Sequence, residues 1–174
     1  MGISYPANAC WRYWALARGG RTDVVVRDFR ERWATMQSVL QNNTIFENWT
    51  AAPDSGDLWS HCAVVPLYFL TQGIAGIHPT APGFAQCTVR PQPADLEHVA
   101  VAVPTKQGCI EFESTGVRGD RMLRLSVPRG CTADLILDER EKVSLESAPG
   151  AADTGLRRYS FPSGQTQSLH LRYT

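Results

Sequence analysis

The sequence predicts an α+β chain in two parts, helices first and an antiparallel β-sandwich after them. Three observations predict it. Up to Gly76 the apolar residues recur at helical steps of three and four, and beyond it they alternate with polar ones at period two. A third is the connector between them, His78-Pro79-Thr80-Ala81-Pro82-Gly83-Phe84, whose prolines and glycine suit neither a helix nor a central strand.

Residues 6–18 predict a short helix. Pro6 suits its first turn, and Gly19-Gly20 ends it, because glycine takes the left-handed conformation cheaply. Trp11, Trp14 and Leu16 make it apolar enough to lie against other helices. Thr22 can cap a second helix, with Asp23 in its first turn. Val25, Phe29, Trp33, Met36 and Leu40 form one apolar face, and Arg27, Arg30, Glu31 and Arg32 occupy mostly the solvated side. The helix should stop near Gln41. Residues 58–73 are apolar on nearly all sides and predict a buried third helix, kinked or broken at Pro66. It is too short and too polar for a membrane span, which needs about 20 apolar residues.

Short strands follow. Val89 lies in the first, Val99, Val101 and Val103 in the second, Ile110 and Phe112 in the third. Leu123, Leu125 and Val127 mark the next, then Leu135 and Leu137, then Tyr159 and Phe161, then Leu169, Leu171 and Tyr173. Lys106-Gln107-Gly108, Thr115-Gly116, Pro128-Arg129-Gly130, Pro149-Gly150 and Pro162-Ser163-Gly164 read as the turns between them. Seven short strands at this spacing predict an antiparallel sandwich. Phe112, Tyr159, Phe161 and Tyr173 all fall in core-facing register, which favours a structural sandwich over one with an exposed aromatic platform.

Composition excludes several function classes. The 174 residues carry no net charge and no basic stripe to neutralise phosphates, so nucleic acid is not an expected partner. The N-terminus lacks a basic segment followed by an apolar one, so no signal peptide is expected. Five cysteines without a C-x-x-C pair point to neither a zinc site nor a disulfide framework, but to reduced, mostly buried thiols in a cytoplasmic protein. The four histidines are isolated, so no metal is expected, and nothing calls for a cofactor.

Chemistry concentrates in residues 41–61, where polar, aromatic and acidic residues crowd together without a regular period. Glu47, Asp54 and Asp57 are its acids, Trp49 and Trp59 its large aromatics, Asn42, Asn43 and Asn48 its amides, and His61 closes it. A polar loop between packed helices is a common place for a site. Carboxylates beside indole rings suit a sugar: acids bind hydroxyls or activate water, and rings stack on C–H faces. The same residues also suit plain packing and helix capping. His61 can equally bond backbone or contact a ligand. Asp57 has an N-cap position to explain it, and Asp54 lies in a Pro-Asp-Ser-Gly turn.

Three such apolar helices cannot satisfy one another's faces, and helices of this kind belong in a larger helical assembly. The chain therefore reads as the back end of a longer protein. Ser60-His61, the aromatic-rich helix after it, Gly76-Ile77-His78-Pro79, Pro82-Gly83-Phe84 and Val89-Arg90-Pro91-Gln92-Pro93 resemble the junction between catalytic and C-terminal β-domains in bacterial α-L-rhamnosidases, which are six-hairpin glycosidases. Val103-Pro104-Thr105 and Gly108 resemble the first hairpin of that β-domain, and residues 44–49 resemble the family's T-x-x-E-x-W motif. Phe46 stands where the family commonly has tryptophan.

The resemblance implies that residues 1–76 are the last helices of an (α/α)6 catalytic barrel and residues 77–174 its C-terminal β-sandwich. It implies inverting hydrolysis of terminal α-L-rhamnosyl residues, with Glu47 as the general base; the loop's own residues add Asn43 and Asn48 to orient it, Trp49 and Trp59 to wall the sugar, and His61 as a further sugar contact. The family's general acid lies upstream in an acidic motif with Arg, Gly and Trp. Asp138-Glu139-Arg140 is not that motif, since Glu141 and Lys142 follow. The expected partners are therefore an α-L-rhamnoside and the rest of the barrel, and the isolated chain is expected to be inactive. Two other readings remain open: a carbohydrate-binding or structural β-module docked by the helices, and a six-hairpin glycosidase with another sugar specificity.

Overall fold

The structure is a computed structural model that describes residues 5–50, 64–144 and 158–173. It divides into a helical unit, Met1–Gly73, and a β-unit, Ile74–Thr174.

In the helical unit, a 3-10 turn at Pro6–Asn8 leads into α1, Ala9–Arg18. Gly20 then takes φ 72°, the conformation that lets the chain leave the helix. The buried face of α1 is Ala9, Tyr13 and Ala17, at steps of four. Trp11 instead stands 75% exposed, against the expectation that the tryptophans would face inward. The helix α2, Thr22–Asp28, continues as a π-helical turn, Phe29–Trp33. Thr22 is buried within the helix rather than capping it, and Arg21 precedes it without a side-chain cap.

The single helix expected to reach Gln41 is interrupted. Met36 has ψ 133°, and α3, Gln37–Asn42, starts in a new phase. Val25, Trp33 and Met36 are buried as expected, but Leu40 is turned out to solvent. The next helix within the described residues is α4, Val65–Phe69, followed by a second π-helical turn, Leu70–Ile74. Pro66 therefore sits in a first turn, where its missing N–H is harmless, rather than at a mid-helix kink. Nor is this helix apolar-buried all round: Val65 and Phe69 face inward, while Leu67 and Leu70 are exposed. No helix of the described residues is long and apolar enough to cross a membrane.

The β-unit contains nine described strands: β1 Ile77–Pro79, β2 Gln86–Val89, β3 His98–Thr105, β4 Gly108–Val117, β5 Asp120–Ser126, β6 Thr132–Ile136, β7 Glu141–Val143, β8 Arg158–Phe161 and β9 Thr166–Tyr173. They form a four-stranded sheet in the order β1-β2-β6-β8 and a five-stranded sheet in the order β3-β4-β5-β9-β7. The seven expected strands are all present. β1, inside the expected connector, and β7 are additional. The sandwich is not wholly antiparallel, since β2 runs parallel to β6.

Alternation fills the core. Ile110, Phe112, Leu123, Leu125, Leu169 and Leu171 are buried from the larger sheet, and Ile77, Cys87, Val89, Ala133, Leu135, Tyr159 and Phe161 from the smaller. Each buried leucine contributes roughly 2 kcal/mol of transfer free energy. Lys106-Gln107 forms the two-residue β3–β4 turn, and the Thr105 hydroxyl closes it on the Gly108 carbonyl at 2.7 Å. The β4–β5 turn falls at Arg118-Gly119, not at Thr115-Gly116, which stay within β4. Gly119 has φ 91°, and the Tyr173 ring occupies the space a Cβ would need. Tyr173 is accordingly partly exposed at the sheet end rather than in the core.

Gly76 opens the β-unit with φ 68°. A Cβ there would lie 1.9 Å from the Arg90 carbonyl oxygen, so only glycine permits this approach. The Gly76 carbonyl accepts from the Arg90 amide at 2.9 Å, and the Ile74 carbonyl from the Gln92 amide at 2.7 Å.

Candidate functional site

The loop that carries Glu47 begins where α3 ends. Asn43 takes φ 52°, a left-handed conformation asparagine tolerates. Its N–H donates to the Val39 carbonyl at 3.1 Å, and the Thr44 N–H to the Ser38 carbonyl at 3.2 Å. The helix is thereby closed and the chain turned into the loop. Phe46, on one side of Glu47, is buried. Trp49, on the other, sets its ring edge-to-face against Trp33, with centroids 5.1 Å apart and planes at 76°. Glu47, Asn48 and Trp49 are themselves half-buried. The backbone at Glu47 is thus flanked by two packed aromatics, while its side chain keeps partial access to solvent.

Beneath Trp49 lies a buried cluster that the sequence did not reveal. Trp33 Nε1–H donates to Tyr13 Oη at 3.0 Å, and Tyr13 O–H donates to Asp28 Oδ2 at 3.4 Å. Arg12 pairs with the same carboxylate. Burial pushes the Tyr13 phenol above its ordinary pKa, the Trp33 bond opposes this, and the Asp28 charge adds to it. The Tyr13 ring meets Phe29 at 5.5 Å and Phe69 at 6.0 Å, so α1, the π turn and α4 converge on it.

The structure thus brings Glu47, Asn48 and Trp49 together on one loop. Trp59 and His61, with Asp54 and Asp57, lie outside the described residues. Among the described residues, no three His, Cys, Asp or Glu side chains gather into a group that could hold a metal. Cys10, Cys87, Cys109 and Cys131 are free thiols. Cys87 is pushed up to about 11, first by burial and then by Cys131 and Asp134, which makes it a poor nucleophile. Cys109 is exposed, against the expectation of mostly buried thiols, while Cys10 is half-buried.

The β-unit offers a second surface. Ala100, Ala102, Glu111, Glu113 and Arg124 border a shallow depression on the outer face of the larger sheet. Its charges are paired among themselves, Arg124 with Glu111 at 3.9 Å and His98 with Glu113 at 3.3 Å. Phe112, Tyr159 and Phe161 point into the core, as their register predicts.

Comparison with known proteins gives this arrangement a context. Residues 76–151 match the family model of the bacterial alpha-L-rhamnosidase C-terminal domain. A GH78 family rhamnosidase of Bacillus sp. GL1 is similar at 28% identity over 79% of this chain and 15% of its own, with a TM-score of 0.65. An alpha-L-rhamnosidase of Streptomyces avermitilis, solved in complex with L-rhamnose, shares the fold at TM-score 0.69 and 21% identity, over 89% of this chain and 16% of its own. One from Aspergillus terreus does so at TM-score 0.66 and 20% identity, over 89% and 18%. The chain spans less than a fifth of the length of each. No curated protein sequence matches it. The chain is therefore similar to α-L-rhamnosidases, and residues 76–151, within its β-unit, match the C-terminal domain of the bacterial enzymes.

Proposed function

We propose that this chain is the C-terminal part of an inverting α-L-rhamnosidase, with its helices completing an (α/α)6 barrel and Glu47 serving as general base. The observation that carries the reading is the extent of the fold likeness. It covers 89% of the chain, whereas residues 74–174 make up less than two thirds of it, so helical residues also have counterparts in those enzymes. Glu47 supports it by its place between buried Phe46 and the packed Trp49.

In this reading the Glu47 carboxylate takes a proton from water while the water oxygen attacks the anomeric carbon. A general acid supplied by the rest of the barrel protonates the leaving oxygen on the opposite face. The C–O bond breaks, the configuration inverts, and L-rhamnose and the aglycone alcohol leave. Trp49 and Asn48, with Trp59 and His61, would wall and orient the sugar. Without that general acid the chain alone does not turn over. The β-unit serves as a structural flank: Phe112, Tyr159 and Phe161 are buried and Tyr173 lies against Gly119, which leaves half-buried Phe84 as the one other large aromatic ring among its described residues and no pair of rings to form a stacking platform.

The test joins this chain to the upstream catalytic region of a related rhamnosidase, in place of that enzyme's own C-terminal part. The chimera is expected to hydrolyse an aryl α-L-rhamnoside, with the β-anomer of L-rhamnose as the first product seen by NMR. A folded chimera that releases the α-anomer first, or that does not turn over, contradicts the reading.

A further inference from the structure

Trp33, Tyr13 and Asp28 are all buried, at 4%, 1% and 5% exposure, and they are joined in series by hydrogen bonds. A phenol and a carboxylate inside a helical core are destabilising unless each finds a partner, and apolar side chains of similar size would fill the space without that penalty. What this series touches is therefore informative. Its far end meets solvent through Arg12, which is half-exposed. Its near end is the Trp33 indole, and on that indole rests Trp49, two residues after Glu47.

Local backbone points the same way. Trp33 ends a π-helical turn in which the Ala34 N–H bonds the Phe29 carbonyl at 2.8 Å, five residues back. Such widened turns recur at functional sites because they offset side chains from the regular helical phase. Phe29 packs edge-to-face on Trp33 at 6.1 Å and so braces the indole from within the turn.

We propose that Tyr13 and Asp28 are positioning residues for the Glu47 loop. By fixing the Trp33 indole through its N–H, they fix the surface against which Trp49 is set, and with it the direction of the Glu47 carboxylate. Neither residue is assigned a contact with substrate. The proposal rests on the reading of Glu47 as the general base.

Tyr13→Phe is the discriminating variant, because it keeps the ring contacts with Phe29 and Phe69 and removes only the hydroxyl. In the full chain, ¹H–¹⁵N NMR should show the Trp33 indole N–H moving upfield and the Asn48 and Trp49 amides moving with it. Val25→Ala, a cavity at a fully buried site on α2, should lower stability without moving those amides. In the chimera, Tyr13→Phe should lower kcat roughly tenfold at nearly unchanged KM, since misplacement of a catalytic group by about 1 Å can cost roughly a hundredfold in turnover and a smaller shift correspondingly less. Unmoved Asn48 and Trp49 amides in Tyr13→Phe, or equal movement in Val25→Ala, overturns the positioning role. Glu47→Gln in the chimera separates the two claims. If it abolishes turnover while Tyr13→Phe does nothing, positioning fails and the base stands. If Glu47→Gln retains turnover, the base assignment fails and positioning of a base falls with it.

Discussion

Asp134, on β6, accepts a hydrogen bond from the Ser160 hydroxyl at 2.7 Å and from Arg158 at 2.6 Å, both on β8. Burial is the largest single influence on its carboxyl and raises the pKa, but the Ser160 and Arg158 bonds together outweigh it and leave the pKa below the ordinary value. A pKa lower in the folded than in the unfolded state means stability present above the unfolded value, near 4, and lost as pH falls through the folded one. Urea midpoints measured from pH 6 downward should therefore show a smaller acid loss in Asp134→Asn, by about 1 kcal/mol or less for so partly exposed a pair. An unchanged acid limb contradicts it. At this scale the sequence singled out Glu47 and Trp49 in a loop of acids, amides and indoles, and the structure adds that Trp49 packs on Trp33. It did not single out Tyr13 and Asp28. Trp11 and Trp14 outrank Tyr13 on hydrophobicity, yet α1 turns its small residues Ala9 and Ala17 inward with Tyr13 and leaves Trp11 in solvent. An aspartate among Arg27, Arg30, Glu31 and Arg32 reads as part of a solvated face, and only its tertiary partners explain its burial.

Arg121 and Glu141 connect elements that are not neighbours. Arg121, on β5, reaches across β9 to Glu141, on β7, with bonds of 2.9 and 2.7 Å, and its remaining nitrogen bonds Ser114 on β4 at 3.3 Å. Both members of the pair are almost completely buried. Removing one charge strands the other, so Glu141→Gln should lower unfolding free energy by roughly 3–5 kcal/mol, and pairing Arg121→Met with Glu141→Leu should recover most of it. A Glu141→Gln protein with a wild-type urea midpoint refutes this account of β7. The pair was half-visible beforehand, because Arg121 continues the core-facing series of Leu123, Leu125 and Val127. β7 itself, like β1, is three residues long and too short to show alternation. The parallel β2–β6 pairing joins segments more than forty residues apart and leaves no local pattern. In the helical unit the face from Val25 to Met36 was legible, but the break that turns Leu40 outward was not. It depends on a π turn and on the ψ of Met36, and neither has a sequence signal of its own.

Large apolar side chains in solvent are unevenly shared between the two units. Among the described residues, the helical unit exposes Tyr5, Trp11, Leu40, Val64, Leu67 and Leu70, and the β-unit exposes Val117, Met122 and Tyr173. Apolar surface of this kind promotes association. Sedimentation of the chain alone should give a weight-average coefficient that rises with concentration and rises less in Leu67→Glu; a single monomeric species throughout contradicts it. The change of pattern from helices to strands was plain in the sequence, because a shift of period needs no tertiary information. Whether the helices complete a barrel, as proposed, was not, since no pattern within a helix specifies the partner its face packs against. The most direct measurement is therefore made in the chimera with an upstream catalytic region. Glu47→Gln should lower kcat for an aryl α-L-rhamnoside by roughly two to four orders of magnitude with little effect on folding, the range for loss of a general acid–base group. Near-normal turnover in Glu47→Gln, with loss of turnover in Asp54→Asn or Asp57→Asn, would show that the base is another residue.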